Sequence, residues 1–379
     1  MPELPAIFPL LCMLLVPLAA AGLMLINTGL MRSRNAAHSM LASVVVFAVA
    51  VLSYAACGFA IARSSGIVLL LQLFGAGIAA LIPLASGAER WRLGASCVST
   101  ALFAALTYPL FAQWAWSGGW LARLGFIDSG GASWIHSLGG VTALSIVWIL
   151  GARRGKFTPE GIPTAMPGHN AVIVLFGCML ALTGWLGLNA AGAMVFAHTG
   201  VSALVAVVTN TVVTASAAAV AALGTTWLRF RKPDASLTAN GWISGLVASS
   251  AGCAGMKPAE AAVMGLIAGA LLVFAVEIVE LRMKVDDPGG AISVHAVGGM
   301  WGVLAAGIFG PGNFVAQLVG VATLIGCVLP LSYGLNWLLD RLLRQRVTPH
   351  GERQGLDLFE LGAGAYPDFV THREDLFHR

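Results

Sequence analysis

Charge is scarce in this chain. Asp, Glu, Lys and Arg supply 10% of its 379 residues, whereas soluble domains carry about 25%, and that deficit excludes a water-soluble globule. Cysteine is thinly spread. Cys12, Cys57, Cys97, Cys178, Cys253 and Cys327 stand apart inside apolar runs, without zinc-site spacing or a disulfide framework. No metal site, cofactor or catalytic constellation is therefore expected. Polar sequence is concentrated in the tail, 346–379, which leaves no soluble enzyme domain and nothing that points to nucleic acid. The residues ahead of the first apolar run are acidic (Glu3) where a signal peptide is basic. That run reads as a retained span, with cleavage as the alternative.

What is abundant is apolar length. Hydrophobic residues make up 58% of the chain and glycine contributes 46 positions, with a mean hydropathy of +0.84. A helix needs about 20 apolar residues to cross a hydrocarbon core of roughly 30 Å, and such runs follow one another almost end to end. Glycine suits helices that approach closely in lipid. The composition implies an all-α polytopic protein of the lipid bilayer.

The Lys and Arg residues gather at Arg32/Arg34, Arg90/Arg92, Arg153/Arg154/Lys156, Arg229/Arg231/Lys232, Arg282/Lys284 and Arg341/Arg344/Arg346. Enough apolar sequence for two spans separates successive clusters. Placing every cluster in the cytoplasm gives eleven transmembrane helices, N-terminus out and C-terminus in. They fall near 9–30, 39–62, 67–87, 95–116, 131–151, 169–190, 196–227, 237–255, 259–281, 290–309 and 316–339. Residues 1–345 read as the transmembrane domain and 346–379 as a cytoplasmic tail, in an inner cell membrane.

One phrase occurs twice. Residues 128–141 read DSGGASWIHSLGGV and residues 287–300 read DPGGAISVHAVGGM, both fitting D-x-G-G-A-x-x-x-H-x-x-G-G. The copies open the fifth and tenth spans, which enter the bilayer from opposite faces. That is an inverted repeat with halves 9–151 and 169–309, a plan of transport proteins whose sites lie near the midplane. Each Asp can accept the free N–H groups of a helix start. Each His follows eight residues later, about 12 Å deeper at 1.5 Å per residue, so His136 and His295 reach similar depths. Gly139/Gly140 and Gly298/Gly299 share a helix face with their His and would let helices approach. A single such His could be a packing residue; a symmetric pair marks a substrate or proton path.

Several further stretches carry a resemblance: MRSRN, GAERWR, WAWSGG, TGWLGLNAAGA, KVDDPGGAISVHAVGGMWG and GLDLFELGAGAY. Their order and spacing resemble the Amt/Mep/Rh ammonium transporter family over nearly the whole chain. The resemblance implies a homotrimer of eleven-helix bundles, each with a narrow apolar pore for ammonium or ammonia. It implies that His136 and His295 are a twin-histidine pair, and that Trp116 and Asp128 recruit ammonium at the outer vestibule. It also implies a tail that couples subunits and can receive a PII-type signalling protein.

Departures from the family pattern cluster at the entrance. The first of two gating phenylalanines falls on Gly75, with Phe74 one residue away, and the second falls on Leu188. A vestibule hydroxyl falls on Gly192, and Leu361 stands where the tail is usually polar. Transport is the expectation. An ammonium sensor that binds without efficient conduction, or a gas channel of the Rh type, are the alternatives.

Overall fold

The computed structural model describes residues 4–116 and 118–366. The described residues form helices and no strands; extended pairing is limited to isolated bridges such as Trp91 with Arg346. Among the described residues, nine helices are long and apolar enough to cross a membrane. They are Ile7–Leu30, Ser33–Ala62, Gly66–Gly87, Leu93–Arg123, Ala132–Leu150, Ala171–Phe196, Val201–Phe230, Pro258–Arg282 and Phe314–Leu343. Two shorter helices, Ala235–Ser249 and Ile292–Ile308, lie where the eighth and tenth spans are expected. The first segment bends at Leu14 and Leu15, just before Pro17, whose ring leaves no N–H for a continuous ladder.

The outside of the bundle is apolar. Val172, Leu228 and Leu342 are each more than 70% exposed, a pattern suited to hydrocarbon rather than water. Polar groups are instead gathered at one end. There Glu89 accepts from the Arg32 backbone N–H at 2.8 Å and from Arg32 Nε at 2.6 Å. Arg153 lies between two carboxylates, 3.4 Å from Glu89 and bidentate on Asp286 at 2.9 and 3.0 Å. Arg90, fully buried, donates to Gly151 O and Asp286 O. Charged residues from four separate connections thus meet in one buried network, so those connections share a face of the bundle.

The tail closes over the same face. Asp357 accepts from the backbone N–H groups of Ala37 and His38, and Glu360 from Leu93 N and His38 Nε2. One carboxylate therefore caps the helix that begins at Ala36 and the other caps the helix that begins at Leu93. Glu352 accepts from Arg154 N and Arg346. Residues 346–366 are thereby tied to the bundle; the rest of the tail, 367–379, lies outside the described residues.

Burial alone would raise the pKa of Glu89 and Asp286. The charges of Arg153 and Arg32 on Glu89, and of Arg90 and Arg153 on Asp286, outweigh it and hold both carboxyls below their usual range. Their contribution to stability is therefore complete above the ordinary carboxylate range and is lost as pH falls below it, through the depressed values of the folded state. Asp286→Ala is expected to cost roughly 3–5 kcal/mol, because it leaves buried guanidinium charge uncompensated. Thermal melts in detergent at pH 7 and at about pH 3, below the ordinary carboxylate range, check both points. An unchanged melt for the variant, or no loss on acidification, would refute this role.

Candidate functional site

Both copies of the repeated phrase start their helix in the same way. Asp128 Oδ1 accepts from Gly131 N and Ala132 N at 2.9 Å, and Oδ2 accepts from Ser133 N at 2.6 Å and from Ser133 Oγ. Asp287 accepts from Ala291 N at 3.0 Å, Ile292 N at 2.8 Å and Ser86 Oγ at 2.6 Å. The second glycine of each phrase takes the left-handed conformation that turns the chain into the helix, with φ of 99° at Gly131 and 69° at Gly290. Burial pushes the Asp128 carboxyl up to about 6 against those donors, so it remains mostly ionised at neutral pH.

Each helix then opens with a π turn, Ala132–Ser137 in one copy and Ile292–Val297 in the other. Such turns are rare and frequent at functional sites. His136 and His295 lie inside them, both buried, with ring centroids 5.3 Å apart and planes at 26°. Trp185 stacks on the other face of His136 at 4.9 Å and is held by its N–H to Ser250 Oγ. His136 Nδ1 and Nε2 and His295 Nδ1 have no protein partner.

The glycines bring these helices together symmetrically. A Cβ at Gly140 would fall on the Ala296 backbone, and a Cβ at Gly299 would fall on Ala132 O and Ser137 Oγ. Ser137 and Ala296 each follow their histidine by one residue, so the two contacts are counterparts. Beneath the pair is a cavity of about 10 Å³ lined by Leu23, Ile26, Leu81, Ile82, Val294 and His295 among others. Asn27 and Asn240 add polar groups to its otherwise apolar wall, and a cavity of that size admits about one water-sized molecule.

On the opposite side is a vestibule of about 280 Å³ that brings Trp116 and Asp128 together with Phe126, Ser129, Phe196 and His198. Trp116 donates from Nε1 to Asp128 O at 3.1 Å. Its ring is 7% exposed, stacked on Phe196 at 3.8 Å and 13°, with Trp134 edge-on at 75°. The Asp128 carboxylate is 3% exposed and committed to the helix start. Leu188 is buried and Phe74 is half-buried in the core. Gly192 has Ser129 O and Gly130 Cα where a side chain would go, so the loop carrying Asp128 occupies the room of the expected hydroxyl. The sequence reading passed over Trp134 and Phe196.

The fold and this constellation fit one family. The model for the Ammonium Transporter Family matches residues 7–68 and 62–366. The chain belongs to that family. It is 34% identical to ammonium transporter Amt2 of Archaeoglobus fulgidus over 99% of its own length and 91% of that protein. An ammonium transporter of Bacillus subtilis is 27% identical, over 96% and 98% of the two chains. Among solved structures, a protein described as a sensor Amt superposes with a TM-score of 0.90 at 27% identity, covering 94% of this chain and 98% of that one. Mep2 of Candida albicans shares the fold, with a TM-score of 0.83 at 21% identity over 96% and 90% of the chains. The chain is accordingly a multi-pass membrane protein of a transporter family.

The crowding at Gly192 has a measurable consequence. Gly192→Ser adds the family's hydroxyl to a place already filled, and the overpacking is expected to cost roughly 1–3 kcal/mol. A melt equal to that of the wild type would show that the Asp128 loop gives way.

Proposed function

We propose that this chain conducts ammonium across a cell membrane as ammonia, through a pore centred on His136 and His295. What carries the reading is the buried imidazole pair with three ring nitrogens free of protein partners, set against a cavity with room for about one small molecule. A neutral imidazole offers one donor and one acceptor, which suits ammonia. An ammonium ion in that narrow, largely apolar space would lose its hydration for too little return, so it gives its proton to solvent water in the outer vestibule. All eleven helical segments span in this reading, N-terminus outside and C-terminus inside, and three copies form the working unit. The meeting of the basic clusters on one face supports that orientation. The docked tail, 346–366, is the surface for a PII-type partner.

In the vestibule Asp128 is a positioning residue, holding Trp116 through its carbonyl and the helix start through its carboxylate. Trp116 would recruit the cation through its ring face, a contact worth roughly 0.5–2 kcal/mol. Phe196 covers that face, so recruitment requires Phe196 to swing aside. The covered ring favours a second reading, an ammonium sensor that admits its ligand rarely and turns it over poorly. The likeness to a sensor Amt protein supports the same alternative.

An ammonium pulse applied to purified protein in liposomes separates the two. Transport is expected to give a sustained charge movement or ammonia flux that falls at least tenfold in His136→Ala/His295→Ala. A brief transient without turnover would move the protein to the sensor class. Phe196→Ala is expected to lower the half-saturating ammonium concentration severalfold by uncovering Trp116, and no change would remove Trp116 from the recruitment step.

A further inference from the structure

The first gate position of the family is occupied here by Gly75, and its room is not empty. A Cβ built on Gly75 would overlap the six-membered ring of Trp134 and would lie 2.5 Å from the Tyr108 hydroxyl. Trp134 is fully buried and comes from the repeated phrase itself, two residues ahead of His136. Its ring meets Tyr108 edge-on at 5.8 Å and 61°, Trp116 edge-on, and Phe196 at 6.2 Å and 73°. It is the shared member of an aromatic cluster between the vestibule and the histidine pair. Its indole N–H is buried without a protein acceptor, which leaves one polar edge for a passing molecule.

The repeat shows that the position is one where the two halves differ. The counterpart of Trp134, two residues ahead of His295, is Ser293. Ser293 lines a separate cavity of about 130 Å³ at the charged end of the bundle, with Arg153, Lys156, Asp286 and Asp287, and its hydroxyl is also buried and unpartnered. Position His−2 thus borders open space in one half and the aromatic cluster in the other. A small hydroxyl leaves its cavity open and an indole fills its side of the pair.

We infer that Trp134 is the outer gate and size filter of this pore, a ring moved from the Gly66–Gly87 helix onto the helix of His136, with Gly75 as the space that receives it. The inference rests on the reading of the pore given above. It assigns specificity to a residue that touches the permeating molecule just before the histidines. One added methyl group is discriminated by about ten- to two-hundredfold in a close-fitting apolar site, so the expected readout is methylammonium against ammonium.

The test is a cycle of Trp134→Ala, Gly75→Phe and the double variant in liposomes, with a melt for each. Trp134→Ala is expected to raise the methylammonium-to-ammonium flux ratio about tenfold. Gly75→Phe alone is expected to melt early, because its ring has nowhere to go. The double variant is expected to recover both the melt and the wild-type ratio. Trp134→Phe keeps a ring and is expected to hold the ratio near wild type. A conducting wild type whose ratio is unchanged by Trp134→Ala overturns the gate, as does a double variant that melts as early as Gly75→Phe. A silent wild type tells against transport itself; the gate then stands only if Trp134→Ala begins to conduct, and it falls if that variant is silent as well.

Discussion

Two helices that begin at opposite ends of the bundle must come close enough to place their histidines side by side, and the rest of the molecule is arranged around that crossing. Closeness is achieved by removing side chains at matched points, Gly140 against Ala296 and Gly299 against Ser137. Without a hydrophobic drive between helices in lipid, packing at short range is what holds them. The π turns complete the geometry. Each widens the helix at the histidine, so that a ring set by its own backbone faces its counterpart at 5.3 Å. The aspartates keep those turns from fraying by accepting the backbone N–H groups that a helix start leaves free.

A crossing of small residues is weakly self-supporting, and the charged end of the bundle supplies what it lacks. Asp286 immediately precedes Asp287, which starts the helix of His295, and it is tied to Arg153 just beyond the helix of His136. Arg90 and Glu89 extend the tie to the Gly66–Gly87 helix, on which Gly75 lies. Charges buried this deeply cost several kcal/mol each to desolvate and are tolerable only as a closed set. The tail belongs to the same device. Asp357 and Glu360 sit on the starts of two helices that could not cap themselves, since Asn35 and Arg92 make no side-chain cap bond.

The features legible in the sequence were those written as spacing. The doubled phrase revealed the histidine pair, its depth, the aspartate at each helix start and the glycine faces, because a helix converts residue offset directly into position. The run lengths placed the long helices within a few residues, while the eighth and tenth segments came out shorter than the apolar runs suggested. Side-chain substitutions across space were not legible. Gly75 and Gly192 read as losses, an absent ring and an absent hydroxyl. In three dimensions one space is filled by Trp134 and the other by the backbone of Ser129. Phe196 carried no signal either, being one more apolar residue in an apolar helix. The mismatch of Trp134 with Ser293 is one of several inside the doubled phrase, and the sequence alone did not single it out.

That mismatch also bears on why the entrance can diverge while the centre does not. At the centre each histidine is constrained from two sides, by its partner and, for His136, by Trp185 held on Ser250. A change there must be met on a second helix. At the entrance the requirement is only that an aromatic surface close a space of given size, and any neighbouring backbone can supply the ring. Moving it from the Gly66–Gly87 helix to the phrase of His136 has one physical consequence. A ring on the Gly66–Gly87 helix could swing independently of the histidines, whereas Trp134 shares a π turn with His136. If Trp134 is the gate, displacing it loads the same six-residue turn that carries His136.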